Sequence, residues 1–182
     1  QDVRSEDADA VRERTDAARE SSESADAARE AALRLLERTR RTRTDLERRL
    51  RDRGHGDGVI ASVLDRLTRV GLVDDVEYAR AFLAGRWGRR ASGWRVLEQD
   101  LRRRGVSPSD ILVARERLEA EQGQQDEVSL ARRVLQQTAR RYASLDPRTK
   151  RQRLWALLAR RGFDGDVIAQ AMSEESAANS GR

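Results

Sequence analysis

One spacing pattern constrains this chain more than any other. Leu46, Leu50, Gly54 and Ile60 lie 4, 4 and 6 residues apart, and the same residue types recur at the same intervals as Leu97, Leu101, Gly105 and Ile111, and again as Leu154, Leu158, Gly162 and Ile168. The copies start 51 and then 57 residues apart. Two leucines one turn apart mark an apolar helical stripe. A glycine four residues later readily takes the left-handed conformation that ends a helix, and the isoleucine opens a new apolar face. The residues between glycine and isoleucine differ in every copy (HGDGV, VSPSD, FDGDV), so backbone logic recurs rather than a chemical signature. A motif repeating at about 50 residues points to a repeat architecture, here of three-helix modules.

The fold class expected is all-α, with three tandem three-helix repeats in an elongated curved array. Residues 26–72, 73–121 and 124–174 form the repeats, between a tail at 1–25 and a flexible tail at 175–182. In the first repeat, Ala31, Ala32, Leu35 and Leu36 line the first helix, and Ile60, Val63, Leu64 and Leu67 line the third at i, i+3, i+4 and i+7. In the second, Tyr78, Ala79, Phe82 and Leu83 share a helix and Gly93 breaks the pattern. Ser107-Pro108 with Asp110 three residues on is a capping box that starts its last helix. Residues 119–127 read as a polar connector around Gly123. Val128, Leu130, Ala131, Val134 and Leu135 open the third repeat, and Asp146-Pro147 caps the helix that holds Leu154, Trp155, Leu157 and Leu158.

Only 37% of the 182 residues are hydrophobic and 38% are charged, too little apolar material for one large core but suited to modules stacked on their neighbours. Without cysteine, disulfides and cysteine-based zinc sites are excluded. No apolar run approaches the roughly 20 residues that span a bilayer, and no apolar signal core opens the chain, so a cytoplasmic protein is expected. Residues 1–30 hold ten acids and five arginines, net −5, which leaves about +10 for the rest of a chain whose total is +5. The acidic segment reads as a disordered tail or frayed helix, either inert or a flap that competes with an anionic partner.

Catalytic constellations are not apparent: there is no phosphate-binding loop, HExxH, Gly-x-Ser-x-Gly or ligand cluster. The single histidine, His55, sits in a glycine-rich turn and reads as a turn residue. Asp74-Asp75 precedes a helix, with Glu77 three residues after Asp74, so Asp74 reads as a cap rather than half of an acid/base pair. A non-enzymatic protein without cofactor or metal is expected.

Arginine is where the unusual chemistry concentrates; all but one of the 37 basic residues are arginine, for which codon bias in a GC-rich genome is a sufficient origin. Its planar fork nevertheless recognises phosphate and carboxylate well. From Arg86 to Arg104 only Glu98 and Asp100 oppose the positive charge, more than helix C-termini require. Arg86, Arg89, Arg90, Arg102, Arg103 and Arg104 form a central candidate contact, and Arg140, Arg141, Lys150 and Arg151 a second one toward the C-terminus. Basic residues in the first turns of the helix after Pro147 oppose its dipole, which an anionic partner would explain. Trp87 and Trp94 interleave with the central group and either fill the gap between helices or offer a stacking surface.

Gly71 to Arg86 (GLVDDVEYARAFLAGR), followed by Gly93, Leu97, Leu101, Arg103, Gly105, Val106 and Ile111, resembles the RecX family, regulators of the RecA recombinase; the likeness covers roughly residues 30–173. Asp100 and Arg104 stand where such proteins often carry Glu and Lys. The resemblance implies a protein that binds the RecA filament on single-stranded DNA and inhibits its recombinase, ATPase and co-protease activities; a monomer is expected. The residues alone support a basic all-α binding protein, leaving open direct DNA binding without action on a recombinase, or a passive adaptor.

Overall fold

A computed structural model describes residues 3–87, 92–123 and 126–180. Among them every regular element is helical. The helices are α1 (Val3–Arg38), α2 (Arg43–Arg51), α3 (Asp57–Arg69), α4 (Asp75–Arg86), α5 (Trp94–Arg103), α6 (Pro108–Gln122), α7 (Glu127–Thr138), α8 (Pro147–Arg160) and α9 (Gly165–Ser180), with a 3-10 turn at Ala139–Tyr142. None is long and apolar enough to cross a membrane. Contacts divide the chain into two compact units, residues 1–78 and 79–182.

Backbone hydrogen bonds explain why the repeat keeps its spacing. After α2, the N–H of His55 reaches back to the carbonyl of Leu50 (3.2 Å) and that of Gly54 to Arg51 (2.9 Å). After α5, Val106 reaches Leu101 (3.1 Å) and Gly105 reaches Arg102 (2.9 Å); after α8, Phe163 reaches Leu158 (3.2 Å) and Gly162 reaches Ala159 (3.0 Å). These are three Schellman caps, which require a left-handed residue at the turn. The glycines meet that need with φ of 87°, 82° and 83°. The second leucine of each motif therefore packs inward while its carbonyl ties off the helix.

Helix starts follow the capping signals. Ser107 Oγ accepts from the Asp110 N–H (3.1 Å), Asp146 Oδ1 from Thr149 (3.0 Å) and Asp74 Oδ1 from Glu77 (2.8 Å). Thr42, nearly fully buried, accepts from Asp45 to start α2 (3.1 Å).

In the first unit, Ala28, Ala32, Leu35, Leu46, Leu50, Ile60, Val63, Leu64, Leu67 and Val73 form one core. Each buried leucine contributes about 1.5–3 kcal/mol. The N-terminal segment is helical from Val3 in α1. Its alanines, glutamates and arginines are strong helix formers. Among the described side chains core burial starts at Ala28.

In the second unit, α5 and the turn after α8 cross at two glycines. The N–H of Gly93 donates to the carbonyl of Arg161 (2.8 Å). A Cβ at Gly93 would overlap the Gly162 carbonyl, and one at Gly162 would lie 2.5 Å from Val96 Cγ2. Glu127, at the start of α7, accepts from the Trp94 N–H (2.9 Å) and so caps α5 from the following repeat. Sequence reasoning took Gly93 as a break only; it is half of the joint between the second and third repeats. Helix α6 continues to Gln122, through part of the expected connector, and Gly123 ends it with φ of 81°.

Candidate interaction surface

Of the six central arginines, Arg89 and Arg90 lie outside the described residues. Three of the others meet around Phe82 and Asp100. The Arg86 guanidinium lies 4.4 Å from the centre of the Phe82 ring and that of Arg104 lies 5.1 Å from it. Arg86 also approaches Asp100 at 3.7 Å, and Arg103 pairs with the same carboxylate. An aromatic face flanked by two guanidiniums holds like charges together that would otherwise repel. Arg102 stands apart, 3.9 Å from Glu98. All four are exposed, and Arg86 and Arg103 share the one carboxylate of Asp100.

Both tryptophans are packed rather than presented. Trp87 is 9% and Trp94 3% exposed, and their rings stack at 3.8 Å with an 18° tilt. Arg115 covers Trp94 at 4.5 Å, held by Glu119 at 2.9 Å. The stacking surface for bases is therefore absent from this pair. Burial pushes the Glu127 carboxyl above its ordinary range, against the Trp94 N–H and Arg115, which favour its charged form. The exposed aromatic is instead Trp155 at 38%, which the sequence placed with the core leucines of α8. It lies one position off the Leu154–Leu158 stripe, and that offset was the available signal.

Arg140 and Arg141 are exposed on the 3-10 turn, with Arg141 6.0 Å from the Tyr142 ring centre. Lys150 and Arg151 belong to a different feature: a groove of about 530 Å³ between α8 and α9, lined also by Pro147, Leu154, Ala169, Met172, Ser173 and Ser176. Arg140 and Arg141 are not part of its walls. Neither Lys150 nor Arg151 has an ion pair to a described residue, and beyond its cap Asp146 the first turn of α8 holds no acid. The nearby acids of α9 are engaged elsewhere: Glu174 with Arg132 (3.1 Å) and Gln170 (3.1 Å), and Glu175 with Gln136 (3.3 Å).

Arginines of the first unit present the opposite picture. Asp45 accepts from Arg41 Nη1 (2.8 Å), Arg49 Nε (2.8 Å) and Arg48 Nη2 (2.7 Å). Arg43 pairs with Asp65 (2.6 Å), Arg40 with Glu77 (2.8 Å) and Arg51 with Asp57 (2.9 Å). Burial raises the Asp45 pKa, but the hydrogen bonds from Arg49, Arg41 and Arg48 outweigh it and hold the carboxyl at about 2.

Comparison with known proteins returns the same family for all three modules. Models of the first, second and third three-helix domains of RecX match residues 28–67, 74–114 and 125–172. Regulatory protein RecX of Mycolicibacterium smegmatis is 38% identical over 152 residues, covering 80% of this chain and 77% of that protein. That of Thermobifida fusca is 37% identical over 147 residues, covering 81% and 77%. The crystal structure of RecX from Lactobacillus salivarius superposes with a TM-score of 0.75 at 22% identity, over 86% of this chain and 99% of that one.

Proposed function

The chain belongs to the RecX family of regulatory proteins, and on that premise we propose that it restrains a RecA recombinase by binding the RecA filament on single-stranded DNA in the cytoplasm. It acts as a monomer and without chemistry of its own, by occupying the filament and hindering ATP turnover, strand exchange and co-protease activity. The observation that carries this reading is family membership across all three repeats. The exposed basic groups of the second unit supply the attraction such a partner needs, because a filament on DNA is polyanionic and guanidinium forks match both phosphate and carboxylate.

In this reading the Phe82 cluster makes the central contact through Arg86, Arg103 and Arg104, with Arg102 beside it and Arg89 and Arg90 contributing charge. Arg140, Arg141, Lys150 and Arg151 make a second contact. The test is charge reversal of Arg86, Arg103 and Arg104 to glutamate. Inhibition of RecA ATPase should disappear while the helical circular-dichroism signal persists. Unchanged inhibition would remove the Phe82 cluster from the mechanism.

A second reading, direct binding to single-stranded DNA without action on the recombinase, draws on Trp155, half exposed with the exposed Arg151 one turn before it. Base stacking and phosphate contact together bind single strands. It predicts steeply salt-dependent oligonucleotide binding with no change in ATP turnover by a recombinase activated without DNA.

A further inference from the structure

We infer that the groove between α8 and α9 is a docking site for an acidic amphipathic helix of a partner protein. The inference rests on the binding-protein reading above only for the premise that α8 meets a partner. Three observations specify the occupant. The groove has a mixed lining, with apolar Leu154 at its base on α8 and Ala169, Met172 and Ser173 on the α9 side. Small side chains let another backbone approach closely, and an unbranched methionine adapts to the side chain it meets. An apolar side chain of the partner would displace water from the part-exposed Met172 and from Ala169, a gain that a sugar-phosphate backbone has no means to collect.

Charge is the second observation. Lys150 is half-buried in the groove and Arg151 exposed at its rim, neither paired with a described carboxylate. Both sit in the N-terminal half of α8, where the helix dipole disfavours cations. A positively charged groove held at local cost is complementary to glutamate or aspartate flanking an apolar anchor. Length is the third: Pro147 to Leu154 spans seven residues, about 10 Å of helix at 1.5 Å per residue, enough for two turns of a helix laid alongside.

The experiment uses the full chain and a fluorescent helical peptide of about twelve residues, with two leucines four apart and glutamates on the adjoining positions. Controls are the same peptide with glutamine for glutamate and a labelled oligo-dT. The acidic peptide should bind, and the glutamine version about tenfold more weakly or less. Lys150→Glu with Arg151→Glu should weaken the acidic peptide by about tenfold or more, the loss of two complementary charges. Ala169→Trp fills the groove and should do the same with both cations in place; Ser173→Trp serves if that variant loses its helical signal. Three results would overturn the inference: no binding of the acidic peptide, binding unaffected by a folded groove-filling variant, or oligo-dT displacing the peptide from the groove with equal avidity. No recombinase is present in this assay, so its failure is separable from a failure of the filament reading.

Discussion

The first and third repeats end their second helices with the same leucine-leucine-glycine turn, yet surround it differently. In the first, Gly54 faces open space and the arginines of α2 are gathered by Asp45, Glu47, Asp57 and Asp65. In the third, Gly162 is pressed against Val96 and the cations of α8 have no carboxylate among the described residues. Arginine count therefore does not locate an interaction surface in this chain. Counter-charge is what distinguishes the two repeats. The first repeat uses arginine to stabilise itself, and the third keeps positive charge available where the helix dipole disfavours it.

The turn glycines offer the largest way to sharpen that contrast. Gly54→Ala should cost about 1–2 kcal/mol, the strain of a left-handed alanine alone. Gly162→Ala carries the same strain and in addition forces Val96 aside, a further overpacking cost of about 1–3 kcal/mol. Urea titration of both variants reads the difference; equal costs would mean that the joint with Gly93 yields freely.

Asp45 comes next. Asp45→Asn should destabilise the protein by about 2 kcal/mol, because three charge-assisted hydrogen bonds weaken together, discounted for a partly exposed site. Binding to any anionic partner should stay within about twofold, since the freed arginines add charge rather than remove it. A large loss of binding on this substitution would break the division of labour between the repeats.

The two perturbed carboxylates should respond to acid with opposite sign. The Asp45 pKa is lowered from 3.8 to about 2, so its stabilisation is complete above 3.8 and is lost as pH falls toward about 2. That of Glu127 is raised by burial from its ordinary 4.5. Its contribution therefore grows as pH falls from the raised value toward 4.5. Asp45→Asn should flatten the acid limb of a stability–pH profile, whereas Glu127→Gln should remove the gain at mildly acidic pH. Gains or losses of the same sign from both would contradict the assignment of burial as the cause at Glu127.

The smallest effect belongs to α8. Arg148→Glu places an acid in the first turn, complements the dipole and should raise stability by about 0.5 kcal/mol, the reverse of what arginine removal does in α2. A thermal melt with a loss of Tm at Arg148→Glu would mean that Arg148 has an intramolecular role after all.

The repeat turns were legible in sequence because they are local: glycine, cap and leucine spacing all act within about ten residues. Asp74, Ser107 and Asp146 cap as their spacing implies. What the sequence hid depends on distant partners. Arg40 meets Glu77 across 37 positions and Arg43 meets Asp65 across 22, so a basic run at the α1–α2 turn looked no different from the one in α8. Gly93 and Gly162 face each other across the second unit, which no local pattern encodes. Trp155 fell among core leucines on periodicity, although a rotation of about 100° per residue carries it off their stripe.

A chain that regulates a recombinase filament by binding it must change what that filament does with ATP. The most direct measurement is ATP turnover by preformed RecA filaments on single-stranded DNA, titrated with the protein below one copy per protomer. The account predicts loss of turnover at substoichiometric amounts, relieved by glutamate at Arg86, Arg103 and Arg104. Unchanged turnover while the protein still binds naked DNA would contradict it.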